Sequence, residues 1–275
     1  MKKIVVTGAK GGTGVSIVEV LRERGYDVLS TDLPPSEEEN YKQFDLRDAA
    51  GMSDVFAGAD GVIHFGSPPG DTQFSTTEAF HHIAVAGFNV FQAARNTGIK
   101  RIAWASSIEP YGDLTLHPSL PVTEDSPLAP PGIYGSSKLV LERLATDFCQ
   151  WHDMSIAGFR LSRIFYNNDF GRNKLKHFVD TEGLGGDCLW SYIDARDVAT
   201  ACLAWLESDH PGAEVFNLAA ANVHQEANTE DLMQKYGYAA FGVPPLTAPD
   251  QTLFSTDKVR SLLDWQAEYD WRDML

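Results

Sequence analysis

The chain alternates short, unbroken apolar runs with longer stretches in which apolar residues recur every three or four positions. "KIVVTG" is a continuous, largely β-branched run and predicts a buried strand over 2–7. It leads into "GTGVSIVEVLRERG", where Val15, Val18 and Leu21 share a helical face and Gly25 supplies the stop. "DVLSTD" (27–32), "GVIHFG" (61–66), "RIAWASS" (101–107), "SIAGFRLS" (155–162) and "EVFNLA" (214–219) repeat the strand signature. Helical patterns near 75–97, 134–152 and 194–208 lie between them. Strands alternating with helices predict βαβ units with right-handed crossovers, hence an α/β fold on a doubly wound parallel sheet. After Ser162 the pattern loosens. Residues 163–187 are polar and expected to be irregular, and 221–275 mix short helices with proline-containing loops.

The first strand runs straight into "TGAKGGTG", with glycines at 8, 11 and 14 and a helix at once behind them. Gly8 permits a tight turn, Gly11 lets the backbone approach a pyrophosphate, and Gly14 allows the helix to pack closely on the sheet. The helix start then offers free N–H groups and its positive dipole end to phosphates. A glycine pattern alone is weak, but the strand–loop–helix setting is the one it requires. Asp32 ends the next strand, where a carboxylate accepts from the adenosine ribose and repels a 2′-phosphate. That favours NAD over NADP, with Lys10 in the loop as the opposing hint. As alternatives, Asp32 is a turn or helix-cap residue, and Asp45 is a turn residue or lies beside the adenine. The expected division is a Rossmann-like NAD-binding part over 1–162, to which 188–220 return, and a small substrate-binding part from 163–187 and 221–275.

Composition narrows the function classes. With 38 acidic and 22 basic side chains the net charge is −16, which repels phosphate backbones and excludes a nucleic-acid partner. No apolar run is long enough for a bilayer, so no membrane partner is expected. The first strand starts beside Met1 and leaves no room for a leader, and Cys149, Cys188 and Cys202 are odd in number and unpatterned. Both point to a cytoplasmic protein with reduced thiols. The histidines show no ligand spacing, and no metal site is assigned.

"RIAWASS" ends in Ser106–Ser107, and "IYGSSK" places Tyr134 and Lys138 one turn apart on a helix. Such a pair is usually a surface neighbour pair. Beside the crevice of a dinucleotide fold it becomes a proton-transfer device, because an ammonium favours the phenolate of a nearby tyrosine. A serine at the strand end would orient the substrate oxygen.

The glycine loop, Asp32, "HFGS" (64–67), "SSIEPYG" (106–112), "YGSSK" (134–138) and "YIDARDVA" (192–199) together resemble the extended short-chain dehydrogenase/reductase family, which includes sugar epimerases, dehydratases and uronate dehydrogenases. The resemblance runs in order over most of the chain. It implies Ser107, Tyr134 and Lys138 as the catalytic set, and Gly8, Gly11, Gly12, Thr13, Gly14 and Asp32 as cofactor contacts. Asp45, Leu46, Phe65, Gly66 and Ser67 complete that cofactor set. A homodimer through the helices at 75–97 and 134–152 is also implied.

Departures from the family pattern bear on substrate. Ile83 or Ala84 stands where the family has Asn, and Arg163 where "RxxNVYGP" has its Asn. Trp190 stands in place of an Arg that grips a diphosphate, and losing such charge-assisted bonds argues against nucleotide sugars. Ser67, Ile108, Glu109, Arg163 and Arg172 are the candidate substrate contacts, with Arg172 favoured for an anion and Lys174 and Lys176 expected to be solvated. Glu109 is a hydroxyl contact or an exposed loop residue. His64 is expected to be a packed, hydrogen-bonded core residue, and Trp190 and Tyr192 wall the pocket or simply pack. The function expected is NAD-dependent oxidation of a hydroxyl on a sugar-like small molecule. The alternatives are an epimerase that retains its NAD and, below it, a non-catalytic NAD sensor.

Overall fold

The apolar runs do become strands, and their alternation decides what each face of the sheet meets. The computed structural model describes residues 2–68, 74–114, 119–238 and 242–275. In β1 (Lys3–Thr7), Ile4 and Val6 enter one core and Val5 the other. Six further strands join it: β2 (Asp27–Asp32), β3 (Tyr41–Gln43), β4 (Gly61–His64), β5 (Arg101–Ser107), β6 (Ser155–Leu161) and β9 (Gly212–Leu218). All pair in parallel, in the order β3-β2-β1-β4-β5-β6-β9. The winding reverses between β1 and β4, so a crevice opens beyond their carboxyl ends, where doubly wound sheets bind ligands.

Helices α1 (Gly12–Glu23) and α7 (Ala195–Glu207) cover one face, with Ile17, Leu21, Val198 and Trp205 in its core. On the other lie α2 (Ala49–Phe56), α4 (Ala86–Asn96) and α5 (Ile133–His152), which bury Phe56, Phe91 and Leu141 against Val62, Ile102 and Trp104. The inward face of α1 differs from expectation. Val15 is exposed and Ile17 is buried, because Gly14 packs against Gly8 and turns the stripe 14, 17, 18, 21 inward. Helix α2 and strand β3 were not foreseen.

The helix expected over 75–97 has three parts. α3 (Thr76–Phe80) opens on a capping box in which Ser75 Oγ accepts from the Glu78 N–H and Glu78 accepts from the Ser75 N–H. A π-helical turn over His81–Val85 follows, then α4. Residues 163–187, expected to be irregular, are ordered into β7 (Arg163–Phe165) and α6 (Asp169–Asp180). β7 pairs in parallel with β8 (Tyr192–Asp194). α6 escapes a polarity count because only Gly171, Leu175 and Phe178 are buried, but their spacing is helical and Asn168 Oδ1 caps the Gly171 N–H at 2.8 Å. Short helices α8 (Thr229–Lys235) and α9 (Asp257–Leu263) complete the set. Among the described residues no helix is long and apolar enough to cross a membrane.

Candidate active site

A cleft of about 700 Å³ lies beyond the carboxyl ends of β1, β4, β5 and β6. Its first wall is the glycine loop. Gly8 sits at φ +72°, and a Cβ there would stand 2.4 Å from the Phe65 carbonyl oxygen. A Cβ at Gly14 would stand 2.0 Å from the Gly8 carbonyl oxygen, so α1 can approach the strand only because both positions are glycine. Gly11 is the N-cap and offers no side chain, which leaves the first N–H groups of α1 facing the cleft. Gly12 lies under the ring of Tyr166, whose nearest atom would be 2.7 Å from a Cβ there. Tyr166 was not anticipated, since neither its spacing nor its residue type marks it in the sequence.

Asp32, at the end of β2, accepts from the Lys10 N–H at 2.8 Å and from the Leu33 N–H at 2.7 Å. It therefore shapes the loop as a turn residue does, and it keeps a carboxylate beside the glycine loop. The Lys10 ammonium pairs with Glu38 and lies 5.1 Å from the Tyr41 ring centroid, so the hint toward an extra phosphate is answered by an acid. The Asp45 carboxylate is taken by Arg47, at 2.6 Å from Nη2, with Oδ1 accepting the Arg47 N–H at 2.9 Å. That is the turn alternative, and the pairing holds its carboxyl below the usual range. Leu46 packs in the core against Gly66 rather than lining the cleft, whereas Phe65 and Ser67 line it.

The second wall comes from β5 and α5. Ser107, Tyr134 and Lys138 all line the cleft. The Ser107 Oγ accepts from the Glu109 N–H at 3.1 Å, while Ser106, which also borders the cleft, donates its hydroxyl to Glu142 at 2.7 Å. Lys138 is 1% exposed; its Nζ donates to the Ala105 carbonyl at 2.7 Å and lies 5.3 Å from the Tyr134 ring centroid. Burial brings the Lys138 amine down to about 7, with the Glu142 and Glu109 carboxylates acting the other way. Beneath it His64 is buried, with Nδ1 2.7 Å from Thr7 Oγ1. Its other ring nitrogen has no protein partner, so the packed core residue is only half hydrogen-bonded. Burial, then the charge of Lys138, pulls it down to about 3.

The remaining candidates divide. Ile108, Glu109 and Arg163 line the cleft. Arg163 donates to both oxygens of Asp187 at 3.0 Å and stacks on Phe178, 4.3 Å from the ring centroid. Arg172, favoured for an anion, is exposed and is not among the residues lining the cleft; its guanidinium reaches Asn167 at 2.9 Å. The half-buried side chain two residues on, Lys174, does line it, contrary to expectation. In a helix, positions 172 and 174 point about 200° apart, so only one of the two can turn toward the cleft. Trp190 is fully buried against Tyr236 and Tyr238, with ring centroids 5.5 Å away, and Tyr192 bonds Asn222; both pack and neither lines the cleft. Ile83 and Ala84 are buried in the π turn.

The glycine loop, the open helix start and the Asp32 carboxylate fit a dinucleotide, and the fold and cleft are those of a dinucleotide-dependent enzyme class. The chain belongs to the NAD dependent epimerase/dehydratase family, whose model matches residues 4–219. A UDP-glucose 4-epimerase of Corynebacterium glutamicum is 24% identical across 97% of this chain and 91% of its own length. A uronate dehydrogenase of Pseudomonas putida is 32% identical, over 59% of this chain and 61% of that protein. Among solved structures, a short-chain dehydrogenase/reductase superfamily protein of Agrobacterium tumefaciens with bound NAD superposes with a TM-score of 0.76. It is 24% identical and covers 99% of this chain and 94% of its own.

Proposed function

We propose that the chain oxidises a hydroxyl of a sugar or sugar acid, with Ser107, Tyr134 and Lys138 as its catalytic set. The supporting observation is that these three side chains and the glycine loop line one cleft. NAD, when bound over that loop, supplies the hydride acceptor. Ser107 holds the substrate oxygen, and the Tyr134 phenolate takes its proton as the carbonyl forms. Lys138 favours that phenolate and holds the ribose beside it. Arg163, Lys174, Glu109 and Asp187 line the cleft, two cationic and two acidic side chains, a lining suited to a polar substrate rich in hydroxyls. The same reading has two copies pairing through α4 and α5, which expose Phe88, Val140 and Trp151.

A second reading, an epimerase that re-reduces the carbon it oxidises, is favoured by the likeness to the Corynebacterium protein along nearly the whole chain. One experiment separates them. The protein is offered NAD+ with sugars, sugar acids, sugar phosphates and nucleotide sugars, and both NADH absorbance and sugar composition are followed. NADH accumulation is expected, and Tyr134→Phe should lower its rate by about a hundredfold or more while NAD+ still binds. Interconversion of sugars without NADH build-up would replace the first reading by the second. NAD+ binding with no turnover in either form would leave a sensor and end both.

A further inference from the structure

Behind the cleft a row of buried polar side chains crosses the sheet. Ser106 on β5, Arg160 on β6 and Asn217 on β9 are register partners. Glu142 reaches this row from α5. Its Oε1 accepts from Ser106 Oγ at 2.7 Å and from Arg160 Nε at 3.0 Å, and its Oε2 accepts from Arg160 Nη2 at 2.7 Å. The Arg160 Nη1 donates to the Tyr111 hydroxyl at 2.9 Å and to the Glu124 carbonyl at 3.1 Å, and Tyr111 donates to Asn217 at 2.6 Å. Glu142 stands one helical turn beyond Lys138. The two side chains thus grip successive residues of β5, Lys138 the Ala105 carbonyl and Glu142 the Ser106 hydroxyl.

We propose that Glu142, held between Ser106 and Arg160 one helical turn from Lys138, is a positioning residue that favours the Lys138 ammonium and fixes α5 against the end of β5. This rests on the reading of the cleft given above. A buried ion pair is a weak source of stability, since well-packed apolar residues often serve as well. Here Arg160 is 4% exposed and Glu142 9%, so the pair is retained in a place where it gains little as mere packing. Its position explains it. The groups that face Lys138 are His64 from β4, the Trp104 ring and Ala105 carbonyl from β5, Glu109 after β5, and Tyr134 and Glu142 on its own helix. His64 is neutral and Trp104 carries no charge. Against the cost of burying an ammonium, Glu142 is the leading counterweight and Glu109 the second. Arg160, bonded to both oxygens of Glu142, locks the carboxylate in place.

The test uses the two cofactor forms as electrostatic probes. The oxidised nicotinamide carries a positive charge and the reduced one does not, so an ammonium beside the ring weakens NAD+ binding relative to NADH. The ratio of the two dissociation constants, followed by calorimetry from about pH 6 to about pH 9, titrates the coupled Tyr134–Lys138 pair. The key variant is Glu142→Leu with Arg160→Met, which removes both charges and leaves no buried ion unpaired. Without Glu142 the ammonium is less favoured, so the midpoint should fall by roughly half a pH unit or more, about threefold in proton affinity. Glu142→Asp, which keeps the charge, should leave the midpoint in place. If the double variant does not fold, Glu142→Gln carries the same expectation, because it keeps the shape and can still bond Ser106. An unmoved midpoint in a folded variant overturns the proposal alone. Failure of the wild-type protein to bind either nucleotide overturns the reading of the cleft and this proposal with it.

Discussion

Both oxygens of the Asp32 carboxylate are engaged by backbone N–H groups, yet each has a lone pair left for a ribose hydroxyl. The nearest cation in the loop, Lys10, is neutralised by Glu38. A 2′-phosphate would therefore meet negative charge. Asp32→Asn should shrink the preference for NAD+ over NADP+ by about tenfold, and NAD+ affinity should itself fall several-fold, because the amide NH2 faces one of the two backbone donors. Fluorescence titration with both nucleotides measures this. At this scale the sequence was most legible where chemistry ties residue type to place: Gly8, Gly11, Gly14, Ser107, Tyr134 and Lys138 line one cleft. It was least legible where a side chain's direction matters. Lys174, not Arg172, faces the cleft, and Tyr166 covers Gly12, because such facts depend on how a short helix and a loop are rotated. The Ser106–Glu142–Arg160 cluster joins residues far apart in the chain, and no local pattern announces it.

Helix α5 carries Tyr134 and Lys138 of the proposed catalytic set, so its seat against the sheet matters as much as their identity. Part of that seat is Gly87 on α4. A Cβ there would lie 2.5 and 2.6 Å from the two methyl carbons of Leu141, which is fully buried on α5. Gly87→Val forces packed neighbours apart and should cost about 1–3 kcal/mol in urea unfolding. NAD-dependent turnover should fall further than NAD+ affinity, because the glycine loop leads into α1 on the opposite face of the sheet and is not displaced. Equal losses in both would show that α4 does not locate α5. β1, β2, β4, β5, β6 and β9 were read to within about two residues at each end, since a buried parallel strand is a continuous apolar run that few other elements produce, whereas the three-residue strands β3, β7 and β8 were not. α2, α6 and the π turn escaped. In α6 three buried residues sit among nine half-buried or exposed ones, and a π turn leaves no signature in residue type.

Across the whole molecule, the buried histidines are groups that weaken the fold as the pH falls. His224 is fully buried, faced in near-perpendicular fashion by Phe165, Phe178 and Tyr192, and neither ring nitrogen has a protein partner. Burial lowers it to about 4, with Arg163 acting the same way and Asp187 the other. A histidine whose folded value lies below its unfolded value of about 6.5 binds its proton more readily in the unfolded chain, so stability is intact above about pH 6.5 and is lost as the pH falls toward 4. At pH 5 this one residue should cost about 2 kcal/mol relative to neutral pH. His64, lowered to about 3, acts in the same direction over a wider range. His224→Phe fills an aromatic pocket with an aromatic ring and removes two unpartnered nitrogens. Urea unfolding should find the variant at least as stable as wild type at pH 7 and about 2 kcal/mol more stable at pH 5. An equal loss between pH 7 and pH 5 in both proteins would mean that His224 is not the group that titrates. The acidic surface acts the other way. As the pH falls the net charge of −16 shrinks, and self-repulsion with it, which stabilises the folded state. Burial also pushes the Asp197 carboxyl up to about 7, so it takes its proton more readily in the folded chain and likewise stabilises as the pH falls; His64 and His224, the buried histidines among the described residues, act against both.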